Sequence, residues 1–270
     1  MHYLDEGPQS GPPILFLHGN PTWSFMYRNV IKKLSSTNRC IAPDHIGCGL
    51  SDKPNEKQFP YDLRAHSRNI RDLLSHLSID QFSMVVHDWG GAIGLTAFRQ
   101  EVERLQKIVL LNTACFNPRN VPRRILFCRL PLIGTFFVRC LNGFAWPATF
   151  MGTSRGLSKE TKKGFLLPYD SWRNRVAVWR FVKDIPFEKK HPSSSLLKET
   201  EIRLKELKSK NILTCWGMKD FCFHPAFLNE WKRILPNIKS YESKNAGHYV
   251  LEDDLNGCMS RIEPFLSSME

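Results

Sequence analysis

The sequence lacks the features that mark metal sites, disulfide frameworks and membrane spans. Its eight cysteines form no C-x-x-C pair and no His/Cys tetrad, so we predict no metal and no disulfide framework. The most apolar stretch, residues 125–151, is interrupted by Arg129, Arg139 and two prolines, whereas a bilayer span needs about 20 apolar residues. No signal-peptide pattern is present. We therefore expect a cytoplasmic protein without a cofactor.

Acidic residues are scarce in one segment. The chain carries a net charge of +12, and residues 114–208 hold 19 basic but only 7 acidic side chains, which accounts for the whole excess. No helix-turn-helix, zinc finger or aromatic-basic RNA motif accompanies these cations, so nucleic acid is not predicted as a partner. The open alternatives are a solvated basic face and a docking surface for an acidic protein or a membrane.

What the sequence does contain is an alternation of apolar strands and helical segments. Residues 13–17, 39–44 and 106–112 have the pattern of buried strands, and residues 61–77 have helical spacing. The alternation stops at residue 114 and resumes with a strand at 211–216. This pattern predicts an α/β fold whose mostly parallel sheet, flanked by helices, is formed by residues 1–113 and 210–270 and interrupted by a helical lid, or cap, at residues 114–209.

The stretch from Ser83 to Gly94 places an acid, Asp88, between a strand and a helix predicted at residues 93–104. A sharp strand-to-helix turn is the geometry of a nucleophile elbow, which lifts one side chain above the carboxyl edge of a sheet. The elbow predicts a carboxylate nucleophile at Asp88. The alternative is that Asp88 is only the N-cap of the helix.

Two further residues complete a candidate catalytic set. Asp220 follows the strand at 211–216, and His248 follows a strand that begins near Lys239. Taken singly, Asp220 could be a loop acid and His248 a surface imidazole. Their order after Asp88 is nucleophile, acid and histidine, which is the order used by the α/β-hydrolase fold.

Four motifs resemble the haloalkane dehalogenase-like branch of the α/β-hydrolases. They are His18-Gly-Asn-Pro-Thr-Trp-Ser24, Asp44-His-Ile-Gly-Cys-Gly-Leu-Ser-Asp-Lys-Pro54, Val85-Val-His-Asp-Trp-Gly-Gly91 and Asn245-Ala-Gly-His248. The resemblance implies the α/β-hydrolase fold and assigns roles to five residues. Asp88 would be the nucleophile, His248 the base that activates water, and Asp220 the acid that orients His248. Asn20 and Trp89 would donate hydrogen bonds to a leaving halide or an oxyanion.

In that branch the orienting acid can follow either of two strands, which correspond here to those at 106–112 and 211–216. Residues 110–118, around the end of the first strand, contain no carboxylate, so the resemblance assigns the role to Asp220 after the second. The segments 111–114, 168–172, 180–186 and 215–223 are similar to the β-lactone decarboxylases of bacterial long-chain olefin biosynthesis. That similarity implies cleavage of a dialkyl β-lactone, a small apolar substrate, into a cis-alkene and carbon dioxide. A haloalkane dehalogenase is the alternative, and an inactive binding protein is a remote one.

The lid is rich in large aromatic side chains that we expect to contribute to an apolar substrate pocket, although each could instead pack the lid onto the sheet. They are Phe127, Phe136, Phe137, Phe144, Trp146, Phe150, Phe165, Trp172, Trp179 and Phe181. The resemblance also implies a first edge strand before Tyr3, which this sequence does not include. Unpaired backbone groups at that edge would favour a homo-oligomer or a multienzyme assembly.

Overall fold

A seven-stranded sheet forms the centre of the computed structural model, which describes residues 1–116, 122–188 and 190–268. The strands are β1 (Tyr3–Glu6), β2 (Pro13–Leu17), β3 (Arg39–Pro43), β4 (Phe82–Asp88), β5 (Leu105–Thr113), β6 (Asn211–Gly217) and β7 (Lys239–Ser243). Their spatial order is β1-β3-β2-β4-β5-β6-β7. β1 pairs antiparallel with β3 at one edge, and every other neighbouring pair is parallel. The predicted mostly parallel α/β sheet is confirmed.

The two faces of the sheet bury separate apolar clusters. In β4, Met84 and Val86 join one cluster while Val85 joins the other, and in β5 Ile108 and Val109 are divided in the same way. Successive side chains of a strand point to opposite faces. A parallel strand covered on both faces is therefore apolar at nearly every position, which is why these strands appear in the sequence as continuous apolar runs.

Helices cover both faces of the sheet and fill the segment between β5 and β6. The helices are α1 (Arg28–Leu34), α2 (Leu63–His76), α3 (Trp89–Ala97), α4 (Arg123–Cys128), α5 (Ile133–Arg139), α6 (Ala145–Met151), α7 (Lys159–Leu166), α8 (Val176–Asp184), α9 (Pro192–Arg203), α10 (Pro225–Ile234), α11 (Val250–Asp253) and α12 (Leu255–Ser267). α2, α3 and α10 pack on one face of the sheet, and α1 and α12 on the other. Among the described residues, no helix is long and apolar enough to cross a membrane.

The helix after β4 differs from the prediction of a helix at residues 93–104. α3 begins directly after β4 and ends at Ala97, so Gly90 and Gly91 lie inside the helix. The reason is close packing, because a methyl group at Gly90 would lie 2.0 Å from the carbonyl oxygen of Leu17 in β2. Only glycine permits this approach of helix to sheet.

Six helices, α4 to α9, lie in the segment predicted to form the lid. The first five surround an apolar cluster separate from those of the sheet: Ile125, Cys128, Val138, Ala145, Tyr169, Val178 and Val182. α9 instead places Leu196 and Leu197 in the cluster of α2 and α3. The division into a core and a lid domain stays a prediction, and residues 117–121 and 189 of that lid lie outside the described residues.

Candidate active site

The turn after β4 holds Asp88 in a conformation that L-residues rarely adopt. Its backbone has φ 51° and ψ −126°, and its side chain is buried. Asp88 occupies the N-cap position of α3, but its side chain makes no capping hydrogen bond there, so the alternative of an acid that only caps the helix is not supported. The facing turn leaves room for the carboxylate, because a methyl group at Gly19 would lie 2.1 Å from its Oδ1 atom. This is the elbow geometry expected from the sequence.

Two backbone N–H groups hold the Asp88 carboxylate. The N–H of Asn20 donates to Oδ1 over 2.8 Å, and the N–H of Trp89 is the second donor. Burial raises the pKa of Asp88, while the charge of His248 and the two backbone donors act in the opposite direction without cancelling the shift. Donors that converge on a carboxylate also stabilise negative charge that develops there during a reaction.

The imidazole of His248 lies between two carboxylates. Its Nε2 atom is 3.7 Å from Oδ2 of Asp88, and its Nδ1 atom is 2.8 Å from Oδ2 of Asp220. The ring stacks on Phe223 with the ring centroids 5.7 Å apart. Burial lowers the pKa of His248, but the charge and hydrogen bond of Asp220 and the charge of Asp88 outweigh it, so the net shift is upward. The two carboxylates therefore stabilise the imidazolium form relative to that of a free imidazole.

A buried amide fixes Asp220. Asn112 in β5 donates from Nδ2 to Oδ2 of Asp220 and to the carbonyl oxygen of Gly217, both over 3.0 Å. Its Oδ1 atom accepts the N–H of Gly217 over 2.8 Å. The other oxygen of Asp220 accepts the N–H of Cys222 over 2.7 Å. Sequence analysis missed Asn112, although a lone amide in an apolar strand must find a partner when it is buried.

The two predicted donors of the site lie beside Asp88. The Asn20 side chain donates from Nδ2 to the carbonyl oxygen of Val178 over 3.1 Å, and its Oδ1 atom has no partner among the described residues. The indole of Trp89 packs against Phe181 with the ring centroids 5.4 Å apart. Val178 and Phe181, which make these two contacts, both belong to α8. The second Nδ2 hydrogen of Asn20 is not used by Val178 and is available to a ligand.

The structure therefore brings all five sequence-predicted residues to one place. Asp88, His248, Asn20 and Trp89 line a single cavity of 380 Å³, and Asp220 lies behind the imidazole. The rest of the lining is mostly apolar. A concave apolar site with a few convergent polar groups is the usual form of a small-molecule pocket.

Only some of the lid aromatics contribute to that cavity. Phe127, Phe137 and Phe144 line it. Phe136, Trp146, Phe150 and Trp172 are exposed instead, and Phe165, Trp179 and Phe181 pack into the apolar clusters. Five further aromatic residues, besides Trp89, contribute to the lining, namely Phe116, Phe221, Phe223, Phe227 and Tyr249. The expectation of an aromatic wall supplied by the lid is thus correct for three of the ten side chains.

Comparison with known proteins agrees with this geometry. A family profile described as "alpha/beta hydrolase fold" matches residues 12–127. The cis-3-alkyl-4-alkyloxetan-2-one decarboxylase of Shewanella oneidensis is 37% identical over 100% of this chain and 86% of its own length. The chain belongs to the α/β-hydrolase family. A second protein of the same name, from Xanthomonas campestris, is 36% identical to this α/β-hydrolase over 98% of the chain and 92% of its own length.

This α/β-hydrolase is also similar to proteins named as dehalogenases. Haloalkane dehalogenase 2 of Mycobacterium tuberculosis is 32% identical over 94% of the chain and 86% of its own length. In fold, the crystal structure of the haloalkane dehalogenase DatA from Agrobacterium tumefaciens matches with a TM-score of 0.88 at 23% identity, covering 98% of this chain and 92% of that one. The chain is therefore an enzyme of the haloalkane dehalogenase-like branch, as the motifs indicated.

Proposed function

We propose that this α/β-hydrolase cleaves cis-3,4-dialkyl β-lactones into a cis-alkene and carbon dioxide, through a covalent ester on Asp88. The observation that carries the proposal is a buried carboxylate, facing an imidazole at 3.7 Å, at the base of an apolar cavity. It occurs in a chain 37% identical, over its whole length, to a protein named as an oxetan-2-one decarboxylase. An oxetan-2-one is a four-membered β-lactone.

In the first step Asp88 attacks the ring carbon that carries the lactone oxygen. The bond between this carbon, C4, and the ring oxygen breaks, and an ester forms between C4 and Asp88. The ring oxygen leaves as part of a carboxylate that remains attached to the neighbouring carbon, C3. The Asn20 amide and the Trp89 indole would bind this new negative charge, as they would bind a halide.

In the second step the free carboxylate leaves as carbon dioxide. Its electron pair forms the double bond between C3 and C4, and the ester bond to Asp88 breaks. The imidazolium of His248 stabilises the departing Asp88 carboxylate. The two steps consume no water and regenerate the enzyme, so the lactone atoms divide between alkene and carbon dioxide. Inversion at C4 followed by anti departure keeps the two chains on the same side, which gives the cis-alkene.

Haloalkane dehalogenation is the second candidate, favoured by the relative that is 32% identical and by the two donors, Asn20 and Trp89. Here Asp88 would displace a halide, and His248 would then take a proton from the water that hydrolyses the ester. This reaction consumes one water and releases a halide and a proton. The two functions therefore differ in products that are easily measured.

The deciding experiment supplies a cis-3,4-dialkyl-oxetan-2-one and a 1-halohexane in parallel. We expect gas chromatography to detect cis-alkene from the lactone and ion chromatography to detect little halide. Asp88→Asn should abolish the product while leaving the fold, checked by circular dichroism, unchanged. Efficient halide release with no alkene would establish the dehalogenase. Substrate binding without any turnover by the unmodified enzyme would identify an inactive binding protein.

A further inference from the structure

Exposed apolar side chains are concentrated in one short part of the lid. Fourteen large hydrophobic residues are exposed among the described residues, and nine of them fall within residues 126–150. We call these nine the apolar tip: Leu126, Phe127, Leu130, Leu132, Ile133, Phe136, Leu141, Trp146 and Phe150. An apolar patch of this kind on a folded domain marks an interaction site.

The most exposed apolar side chain of the protein's described residues belongs to the apolar tip. The tip lies on α4, α5, α6 and the turns between them, and this side chain, Leu132, is 85% exposed. Leu132 has φ 59° and ψ −58°, and the N–H of Ile133 bonds back to the carbonyl oxygen of Pro131 over 2.6 Å. This tight γ-turn is rare and strained for a residue with a branched side chain. The strained turn leaves the Leu132 side chain in solvent. Burial within the protein therefore does not compensate for the strain.

The stretch of sequence that forms the apolar tip carries charge of one sign. From residue 104 to residue 159 the sequence contains no Asp or Glu. Arg123 and Arg124 at the start of α4 are exposed beside Leu126 and Phe127 of the tip. Cations next to exposed aromatic and aliphatic side chains form the pattern by which proteins bind the interface of an anionic bilayer. Exposed tryptophan, here Trp146, also favours that interface.

The cavity lies next to the apolar tip. Arg124 and Phe127 both line the cavity, and both are exposed on α4. Phe137, Ala148 and Met151 line it from α5 and α6, which are the helices that carry most of the apolar tip. A molecule that leaves the hydrocarbon region of a bilayer below the tip would therefore enter the cavity without crossing water.

We propose that the apolar tip docks this enzyme on an anionic lipid bilayer, with the cavity entrance facing the membrane. The docking surface goes beyond the proposed reaction and does not depend on it. A bilayer fits these observations better than a protein partner, because exposed apolar side chains need no complementary groove in a fluid interface. A second copy of the chain fits less well, since two tips carrying the same positive charge would repel each other.

The test is co-flotation with vesicles of equal parts phosphatidylcholine and phosphatidylglycerol, and with vesicles of phosphatidylcholine alone. We expect binding to the anionic vesicles that weakens in high salt. The variant Leu132→Gln/Ile133→Gln/Phe136→Gln should bind at least about tenfold more weakly, because three apolar side chains no longer enter the bilayer. The matched control Leu50→Gln/Ile202→Gln changes exposed side chains outside the tip, 56% and 57% exposed, and should bind like the unmodified protein.

The basic charge beside the tip is tested separately with Arg123→Gln. Binding of this variant to anionic vesicles should fall by about fivefold for the one cation removed, with no change on neutral vesicles. Circular dichroism and turnover of a short, water-soluble substrate verify that each variant is folded. Absence of vesicle binding by the unmodified protein would overturn the proposal, as would equal binding by the triple variant. A triple variant with half the molar mass of the unmodified protein in light scattering would instead identify a second copy as the occupant.

Discussion

Oδ2 of Asp220 accepts hydrogen bonds from two directions, from Nδ1 of His248 over 2.8 Å and from Nδ2 of Asn112 over 3.0 Å. The acid that orients the imidazole is therefore itself oriented by a side chain of the neighbouring strand. Rotation of the Asp220 carboxylate would break both bonds and leave buried donors without partners, which costs about 1–3 kcal/mol for each group. The position of the His248 ring is thus set by the sheet.

Replacement of Asp220 tests its role directly. Asp220→Asn should lower turnover by about two to four orders of magnitude, because the amide neither stabilises the imidazolium nor selects the ring tautomer as the carboxylate does. Steady-state kinetics on the preferred substrate measure the effect. Asp170→Asn is the matched control, since Asp170 is an exposed lid acid whose carboxylate bonds Asn174 and Ser171 in its own turn. Equal losses in both variants would mean that the acid is assigned wrongly.

His248→Gln should trap the covalent intermediate. Asp88 can still attack, but without the imidazolium the ester does not break down, so one substrate-derived group should remain on each molecule. Intact-mass spectrometry detects it, and its mass identifies the reaction. The proposed β-lactone route adds the mass of the whole lactone, whereas dehalogenation adds the carbon chain without the halogen. Loss of activity with no adduct from either substrate would contradict a covalent mechanism.

Substrate length provides a third test. The cavity is lined mainly by apolar side chains, and each methylene that it buries contributes about 0.8 kcal/mol. We expect kcat/KM on β-lactones to rise as the two alkyl chains lengthen toward about ten carbons each, and halide release from short haloalkanes to be weak or absent. A flat response to chain length would indicate that the chains stay outside the cavity.

Because Asp184 at the end of α8 is buried, we expect the stability of the folded protein to depend on pH. Asp184 accepts the N–H of Leu63 over 2.8 Å and the hydroxyl of Ser193 over 2.7 Å, and burial raises its pKa from 3.8 to about 7. Between these values the folded state holds a proton that the unfolded state has lost, so stability falls as the pH rises through this window. Relative to Asp184→Asn, the unmodified protein should lose about 2 kcal/mol in urea unfolding between about pH 5 and about pH 8. An unchanged difference between the two proteins would mean that Asp184 is ionised throughout.

The sheet could be predicted from sequence because its strands are apolar runs bounded by turn residues. The run at Pro13–Leu17 was predicted to the residue, and that at Leu105–Thr113 to within one residue at each end. The helix after Asp88 could not be placed correctly. Its start depends on Gly90 fitting against the carbonyl oxygen of Leu17, a tertiary contact that helical periodicity does not reveal.

The candidate site was likewise predictable from sequence only in part. Asp88, Asp220 and His248 were found because each follows a strand and their order along the chain fits one fold. Asn112 was missed because its importance comes from what lies opposite it on β6. The aromatic side chains of the lid that line the cavity were predicted only in part. The helices that carry them are short, and their sequences do not indicate which side of each helix faces the cavity.

α9 ends the lid by packing on the helix that begins at the elbow. The hydroxyls of Thr200 in α9 and Thr96 in α3 lie 3.1 Å apart, and Arg99, just after α3, pairs with Glu199 over 3.0 Å. The lid thus has one end clamped to the same rigid body as Asp88. The last α-helix before β6 is therefore held in a fixed position relative to Asp88, although more than 100 residues separate the two in sequence.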